Sequence, residues 1–225
     1  MATTIDRDEV ARLLREEHAQ LVEVLRADEH DDEHLPGAIN IPLKRLDRET
    51  TQQLERERPV IVYCFDYQRD MSLRAASRLD SLGFPRVYEY AAGKADWGSY
   101  GFSLEGQADS STRVSSVANT HPPTCRLDES VAAVAARLHE GWDISVVINE
   151  RQVVLGLLGR GALGSATHAS VESAMRPGPS TIRPSARIDA IRKRMREQNL
   201  TRIVVTRSDG RLFGVVRHED LGADK

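Results

Sequence analysis

The chain has 225 residues, 40% of them hydrophobic and 29% charged, with a formal net charge of −3; this is the composition of an ordinary globular protein of one large or two small domains. No apolar run approaches the ~20 residues needed to span a bilayer, and the opening MATTIDRDEV lacks an apolar signal core, so no membrane association and a cytoplasmic location are expected. Residues 1–110 hold 14 Lys/Arg against 22 Asp/Glu and residues 111–225 hold 17 against 12, which reads as two units, an acidic one unsuited to nucleic acid and a basic one too weakly charged to indicate DNA.

In chain order, DEVARLLREEHAQ is amphipathic and reads as a helix, and LVEVL reads as the strand that follows it. HLPGAINIPL is a Pro-Gly turn leading into a short apolar run, with His34 as a turn residue. Residues 47–57 are polar and helix-forming. PVIVYC is a near-continuous β-branched run, as expected of a buried parallel strand. MSLRAASRLDSLGF reads as a helix with Leu73, Ala76, Leu79 and Leu82 on its buried stripe and Gly83 as its stop, and RVYEY as the next strand. Alternating strands and helices imply an α/β domain around a parallel sheet.

Two cysteines, Cys64 and Cys125, make no zinc pattern, and no metal is expected. A cytosolic compartment disfavours a disulfide between them. Cys125, in PPTCRL, reads as a packed residue at a strand start, with a resolving-cysteine role left open. Cys64 ends the PVIVYC strand, and six residues separate it from the helix near Met71. In that setting loop amides and free helix N–H groups surround the sulfur and favour a negative charge there. Such surroundings make a reactive thiolate, and Arg69 would add a cation. The competing reading is a small buried hydrophobe at a strand end, with Arg69 in a surface ion pair to Asp66 or Asp70.

Residues from about 8 to 102 resemble the rhodanese-like sulfurtransferase domain. The likeness rests on EHLPGAINIP, on VYCFDYQRDMSLRAASRLDSLGF, and on VYEYAAGKADW with its Gly93 and Trp97, in the family's order. The resemblance implies that Cys64 takes sulfane sulfur from a donor as a persulfide and passes it to a thiol or cyanide, with Arg69 as its catalytic partner. Phe65, Asp66, Tyr67, Gln68 and Asp70 complete the active-site loop. The run from Cys64 to Arg69 has the six-residue length typical of sulfur rather than phosphate transfer, and a phosphatase using Cys64 and Arg69 is the weaker option. The chain departs from the family at Tyr67, where Gly is frequent, at Asp70, where Ser is frequent, and at Glu23-Val24-Leu25, which replaces Asp-Val-Arg. Asp66 and Asp70 would repel thiosulfate, which points to a persulfide donor. Trp97 reads as core or rim packing.

SLEGQADSSTRVSSVANTHPPT, Ser103 to Thr124, is rich in small and polar residues and reads as a linker. An internal repeat follows. SVAAVAARLHEGWDISVVINERQVVLGLLGRGAL aligns with RIDAIRKRMREQNLTRIVVTRSDGRLFGVVRHEDL. Val131, Val134 and Leu138 match Ile188, Ile191 and Met195, and Gly156 matches Gly214 as the start of a second strand. Each copy exposes an apolar face, so the two should pack together. The pair resembles tandem cystathionine-β-synthase (CBS) domains, which implies adenine-nucleotide binding and a homodimer. In the family's ribose–phosphate signature the first copy has Gly159 and Ala162 in place of Thr and Asp. The second has Arg217 for Thr and keeps Asp220. The resemblance thus gives nucleotide binding to Asp220, for ribose, and Arg217, for phosphate. The other reading is a structural module with Asp220 capping a helix.

The expected architecture is α/β: a rhodanese-like parallel sheet flanked by helices over residues 1–105, a linker over 106–120, and an α+β tandem CBS pair over 121–225, with repeats at about 121–167 and 170–225. The expected function is sulfur transfer through a Cys64 persulfide, with no required cofactor and an adenine nucleotide as regulatory ligand. The alternative is a catalytically inactive sensing or scaffold protein whose first domain binds a partner.

Overall fold

The structure, a computed structural model, describes residues 3–68, 70–108, 112–165 and 168–222. It divides into two compact units, Met1–Asp109 and Ser110–Lys225.

In the first unit, β1 (Thr3–Thr4), β2 (Gln20–Glu23), β3 (Ile39–Asn40), β4 (Val60–Tyr63) and β5 (Val87–Tyr90) form one sheet in the order β1-β5-β4-β2-β3. Every neighbouring pair is parallel. β4 is central, and its four residues are buried because both faces of the sheet are covered. Alternation divides the chain between two cores. Val60, Val62 and Cys64 pack beneath α3 (Met71–Ser81), while Ile61 and Tyr63 face α1 (Arg7–Glu17) and Trp97. Asp6 starts α1 by accepting the Glu9 amide at 2.9 Å, and His18 ends it in a left-handed conformation.

The expected elements need corrections at four places. The inward stripe of α3 is Ser72, Ala75, Ala76 and Leu79; Leu73 is 50% exposed. Ser72 takes the inward position because polar partners beneath the helix hold it. Residues 47–57 form no α-helix but a short 3-10 turn at Thr50–Gln53, since the Asp47 carboxylate accepts the Glu49 and Thr50 amides and tightens the chain locally. Two helices lacked a periodic signal: α2 (Ala27–Asp32) and α4 (Gly93–Ser99). The expected linker is partly structure. Gln107 and Ala108 donate to the Asp31 and Asp32 carbonyls, and Val114 is buried in the second unit's core.

The second unit is the repeat. Its first copy runs β6 (Thr124–Cys125), α5 (Val131–Ala136), β7 (Ser145–Ile148), β8 (Val154–Leu158), α6 (Arg160–Ser165); a short α7 (Val171–Ala174) and β9 (Arg176–Pro177) lead to the second. That copy runs β10 (Thr181–Ile182), α8 (Ile188–Glu197), β11 (Arg202–Thr206), β12 (Leu212–Arg217). The sheets are β6-β7-β8-β9 and β10-β11-β12. Ile144, Val146, Ile148 and Leu157 of one copy share a core with Val204 and Val215 of the other. The two hairpins also exchange backbone bonds, Val154 N–H to Gly210 carbonyl and Leu212 N–H to Gln152 carbonyl. Gly156 and Gly214 are each the third residue of their strand, not the first. A Cβ at Gly214 would lie 2.4 Å from the Asn119 carbonyl oxygen, and one at Gly156 would lie 2.4 Å from Met175 Sδ. Each glycine thus lets another segment cross its strand closely.

Candidate active site

Cys64 follows the last residue of β4, so the parallel sheet delivers it at the carboxyl end of its central strand. Brief loops above such strand ends are where open α/β sheets place their chemistry. The sulfur is fully buried. Its Sγ lies 3.5 Å from the Asp66 carbonyl oxygen and 3.7 Å from Ser72 Oγ, in the first turn of α3. Ser72 Oγ donates to Glu89 Oε1 at 2.9 Å, and Thr4 Oγ1 donates to Glu89 Oε2 at 3.1 Å. A buried polar chain thus runs from the sulfur through α3 to β5 and β1.

A second set of contacts fixes the loop from the other side. Lys94 N–H donates to the Cys64 carbonyl at 3.2 Å and Ala95 N–H to the Phe65 carbonyl at 3.0 Å. The approach needs glycine at position 93: φ is +60°, and a Cβ there would lie 2.3 Å from the Cys64 carbonyl oxygen. The Lys94 side chain is buried too, and its ammonium donates to Glu23 Oε1 at 3.0 Å, the Glu29 carbonyl at 2.7 Å and the Glu33 carbonyl at 2.5 Å. Burial pushes the Glu23 carboxyl up, and the Lys94 charge opposes that shift. One residue therefore ties the Cys64 loop to β2 and to the end of α2.

The expected loop residues divide by role. Asp66 accepts the Gln68 amide at 2.9 Å, so its carboxylate shapes its own loop. Asp70 precedes α3 without capping it through its side chain, and sits 3.7 Å from Arg74. Phe65 packs against the core, while Tyr67 is 61% exposed. Arg69 lies outside the described residues. His34 lies not in the turn but just before it, paired with Glu105 in an isolated β-bridge; its ring stacks on His30 at 3.8 Å and Nδ1 donates to the His30 carbonyl at 2.7 Å. Trp97 is buried, and its Nε1 donates to the Ser103 carbonyl. Cys125 is buried at the end of β6, and burial pushes its thiol up; both cysteines are free thiols. Among the described residues no cluster of three or more His, Cys, Asp or Glu could hold a metal.

Sequence reasoning missed Ser72, Glu89, Glu23 and Lys94. Glu23 was visible as a departure from Asp-Val-Arg, but no spacing joins it to Lys94, 71 positions away.

In the second unit, Arg217 and Asp220 meet each other. Asp220 accepts the Arg217 backbone N–H at 2.9 Å, and Oδ1 and Oδ2 take the guanidinium at 2.9 and 3.2 Å. The pair caps the short 3-10 turn His218–Leu221. A cleft of about 490 Å³ is lined in part by Gly159 and Ala162, the positions where the first copy lacks the polar residues. It is bordered by Arg160, Arg176 and Arg202, with Asp143 bridging Arg160 and Arg202.

The sequence profile of the rhodanese-like domain matches residues 6–100, and that of the CBS domain matches residues 171–221. Over 80 residues the chain is 35% identical to the protein YqhL of Bacillus subtilis, a match covering 36% of this chain and 61% of that one. Over 97 residues it is 28% identical to thiosulfate sulfurtransferase GlpE of Coxiella burnetii, covering 43% of this chain and 88% of the relative. A solved CBS domain pair of protein MJ0100, in complex with 5'-methylthioadenosine and S-adenosyl-L-methionine, is 19% identical, covers 49% of this chain and 92% of that one, and has a TM-score of 0.44.

Proposed function

From a chain that joins a rhodanese-like domain at residues 6–100 to a CBS domain at residues 171–221, we propose that Cys64 carries sulfane sulfur as a persulfide and passes it to a thiol acceptor. The observation that carries this reading is the position of Cys64: a free thiol at the carboxyl end of the central parallel strand, with its loop carbonyls held by the first turn of α4 and its sulfur beside the first turn of α3. Such a setting selects a cysteine for reaction geometry, because packing alone needs no polar partner for the sulfur. Sγ is fully covered, so exchange requires the adjoining loop to open to the donor. The carboxylates of Asp66 and Asp70 favour a persulfide donor over a dianionic thiosulfate.

Production of thiocyanate from cyanide tests this reading, with a small-molecule persulfide and thiosulfate as alternative donors. Turnover with the persulfide that vanishes in Cys64→Ser is the expected result. Efficient turnover of thiosulfate, unchanged in Asp66→Asn and Asp70→Asn, would overturn the donor assignment. No turnover with either donor in a folded sample would favour a partner-binding role for the first unit.

A second reading concerns regulation. The arginine-bordered cleft supports an anionic ligand, with an adenine nucleotide as its first candidate. A nucleotide bound to the native state raises the melting temperature. Abolition of that rise in Arg176→Ala but not in Asp220→Ala would place the ligand in this cleft; the reverse would return it to the Arg217–Asp220 pair.

A further inference from the structure

Among the described residues, four acidic or basic side chains are buried: Glu23, Glu89, Lys94 and Asp96. Three have ionic or architectural partners. Lys94 and Glu23 pair and tie the loop to α2, and Asp96 accepts from Tyr90 and Arg7. Glu89 is different. Among the described residues its side-chain partners are two hydroxyls, Ser72 and Thr4, and the first of these also contacts the sulfur of Cys64. A buried carboxylate held by hydroxyls alone satisfies its lone pairs less strongly than one paired with a cation. Architecture alone does not require such a residue at the middle of β5, opposite Thr4 in the strand register.

We propose that Glu89, acting through Ser72, receives the Cys64 proton as the sulfur reacts. The assignment rests on the sulfur-carrying reading of Cys64 and adds the group that handles its proton. Sγ, Ser72 Oγ and Glu89 Oε1 stand in sequence at 3.7 and 2.9 Å, and the donor directions run from sulfur to carboxylate. The Sγ–H bond breaks toward Ser72 Oγ while the Ser72 O–H proton moves to Glu89, and the electron pair stays on sulfur. Attack on a persulfide R–S–SH then gives Cys64–S–SH and R–S⁻. The leaving thiolate takes the proton back as R–SH and restores the Glu89 carboxylate. The step moves one negative charge within the interior and creates no second one, which avoids the cost of two buried anions. The far oxygen of Glu89 meets Thr4, an exposed residue, which connects the chain to solvent at the sheet edge. Ser72 touches the reacting atom; Glu89 is a positioning residue that works through it.

The test is the rate of Cys64 alkylation by iodoacetamide across pH, read by peptide mapping on the full chain, for wild type, Ser72→Ala and Glu89→Gln. This readout needs no sulfur donor, so it stands or fails separately from persulfide formation. An unassisted thiol loses about tenfold in rate per pH unit below its titration, whereas a thiol with an internal base reaches a plateau. The wild type is expected to level off below about pH 8, and both variants to keep falling. At about pH 6 each variant should be at least tenfold slower than wild type, and at about pH 10 within threefold. Should Glu89→Gln fail to fold, Ser72→Ala breaks the same chain with a smaller change in packing. A wild-type rate that falls tenfold per unit throughout would overturn the proposal, as would a plateau retained in Ser72→Ala. A merely structural role for Glu89 would slow or hasten alkylation equally at every pH.

Discussion

The two units place their charges in opposite ways. The first buries Glu23, Glu89, Lys94 and Asp96, and all four lie on elements that touch or flank the Cys64 loop. The second unit's buried polar side chains, among the described residues, are Ser145 and Thr206. Its ionic pairs, such as Arg217 with Asp220, remain partly in water. A buried charge is expensive unless geometry is fixed around it, so interior charges gather where geometry is what matters. The first unit sets its buried charges on the elements around one loop. The second is built from two apolar hairpins that need each other's faces, with its charges at the margins.

The largest effect should come from breaking the buried pair. Lys94→Met leaves Glu23 buried without its cation and should destabilise the first unit by about 3–5 kcal/mol. Urea unfolding in a Trp142→Phe background, where Trp97 reports, would measure it. The pH dependence has a definite sign. Burial already raises the Glu23 carboxyl in the folded state, and loss of Lys94 raises it further. The folded variant then binds more protons than the unfolded chain in that window, so its stability falls as pH rises. The penalty should be smaller at about pH 5 than at about pH 8. An equal penalty at both would mean that Lys94 acts by packing alone.

Gly93→Ala should come next. Its Cβ meets the Cys64 and Phe65 carbonyls at 2.3 and 2.6 Å, so backbone must move, at about 2–3 kcal/mol. Cys64 alkylation should quicken as its loop loosens. Unchanged stability and reactivity would show that α4 does not hold the loop.

The second unit offers a sharper contrast between its own halves. Gly214→Ala strikes the Asn119 carbonyl, whereas the nearest atom to a Gly156 Cβ is the side-chain sulfur of Met175. A flexible side chain yields more readily than backbone, so Gly214→Ala should lower stability by about 1–2 kcal/mol more than Gly156→Ala. The reverse order in thermal unfolding would mean that the Arg176 carbonyl, 3.0 Å from the Gly156 Cβ position, governs that site.

The smallest effect concerns acid stability. Arg137 hydrogen-bonds Glu129 and holds its carboxyl below the usual carboxylate range. The stability this gives is present above the unfolded value, about 4.3, and is lost as pH falls through the lowered folded value. Arg137→Ala should cost about 0.5 kcal/mol near neutrality and nothing once Glu129 is protonated in both states. Denaturant midpoints at the two pH values would check it, and an equal cost at both would remove the ion pair as its cause.

Much of this fold was legible in sequence because its signals are local. The β-branched run Val60–Tyr63 marked the central strand, and the repeat announced two copies with matching apolar stripes. Leu73 misled because α3 offers two adjacent stripes, and the choice between them depends on Ser72 finding Cys64 and Glu89. α4 was missed because Gly93 opens it and a positive φ leaves no periodic trace. The candidate site was half legible. Cys64 could be found from its place between strand and helix, but the chain Cys64–Ser72–Glu89–Thr4 joins residues up to 85 positions apart, and only the sheet order brings them together. In the second unit sequence pattern marked Arg217 and Asp220 as ligand-binding groups. It could not show that they satisfy each other.

The most direct measurement is the intact mass of the full chain after incubation with a small-molecule persulfide, for wild type and Cys64→Ser, with the modified peptide mapped. A Cys64 sulfur carrier should gain one sulfur in wild type alone, located at Cys64 and removed by cyanide or thiol. A gain that survives Cys64→Ser, or none in wild type although Cys64 alkylates readily, would contradict it.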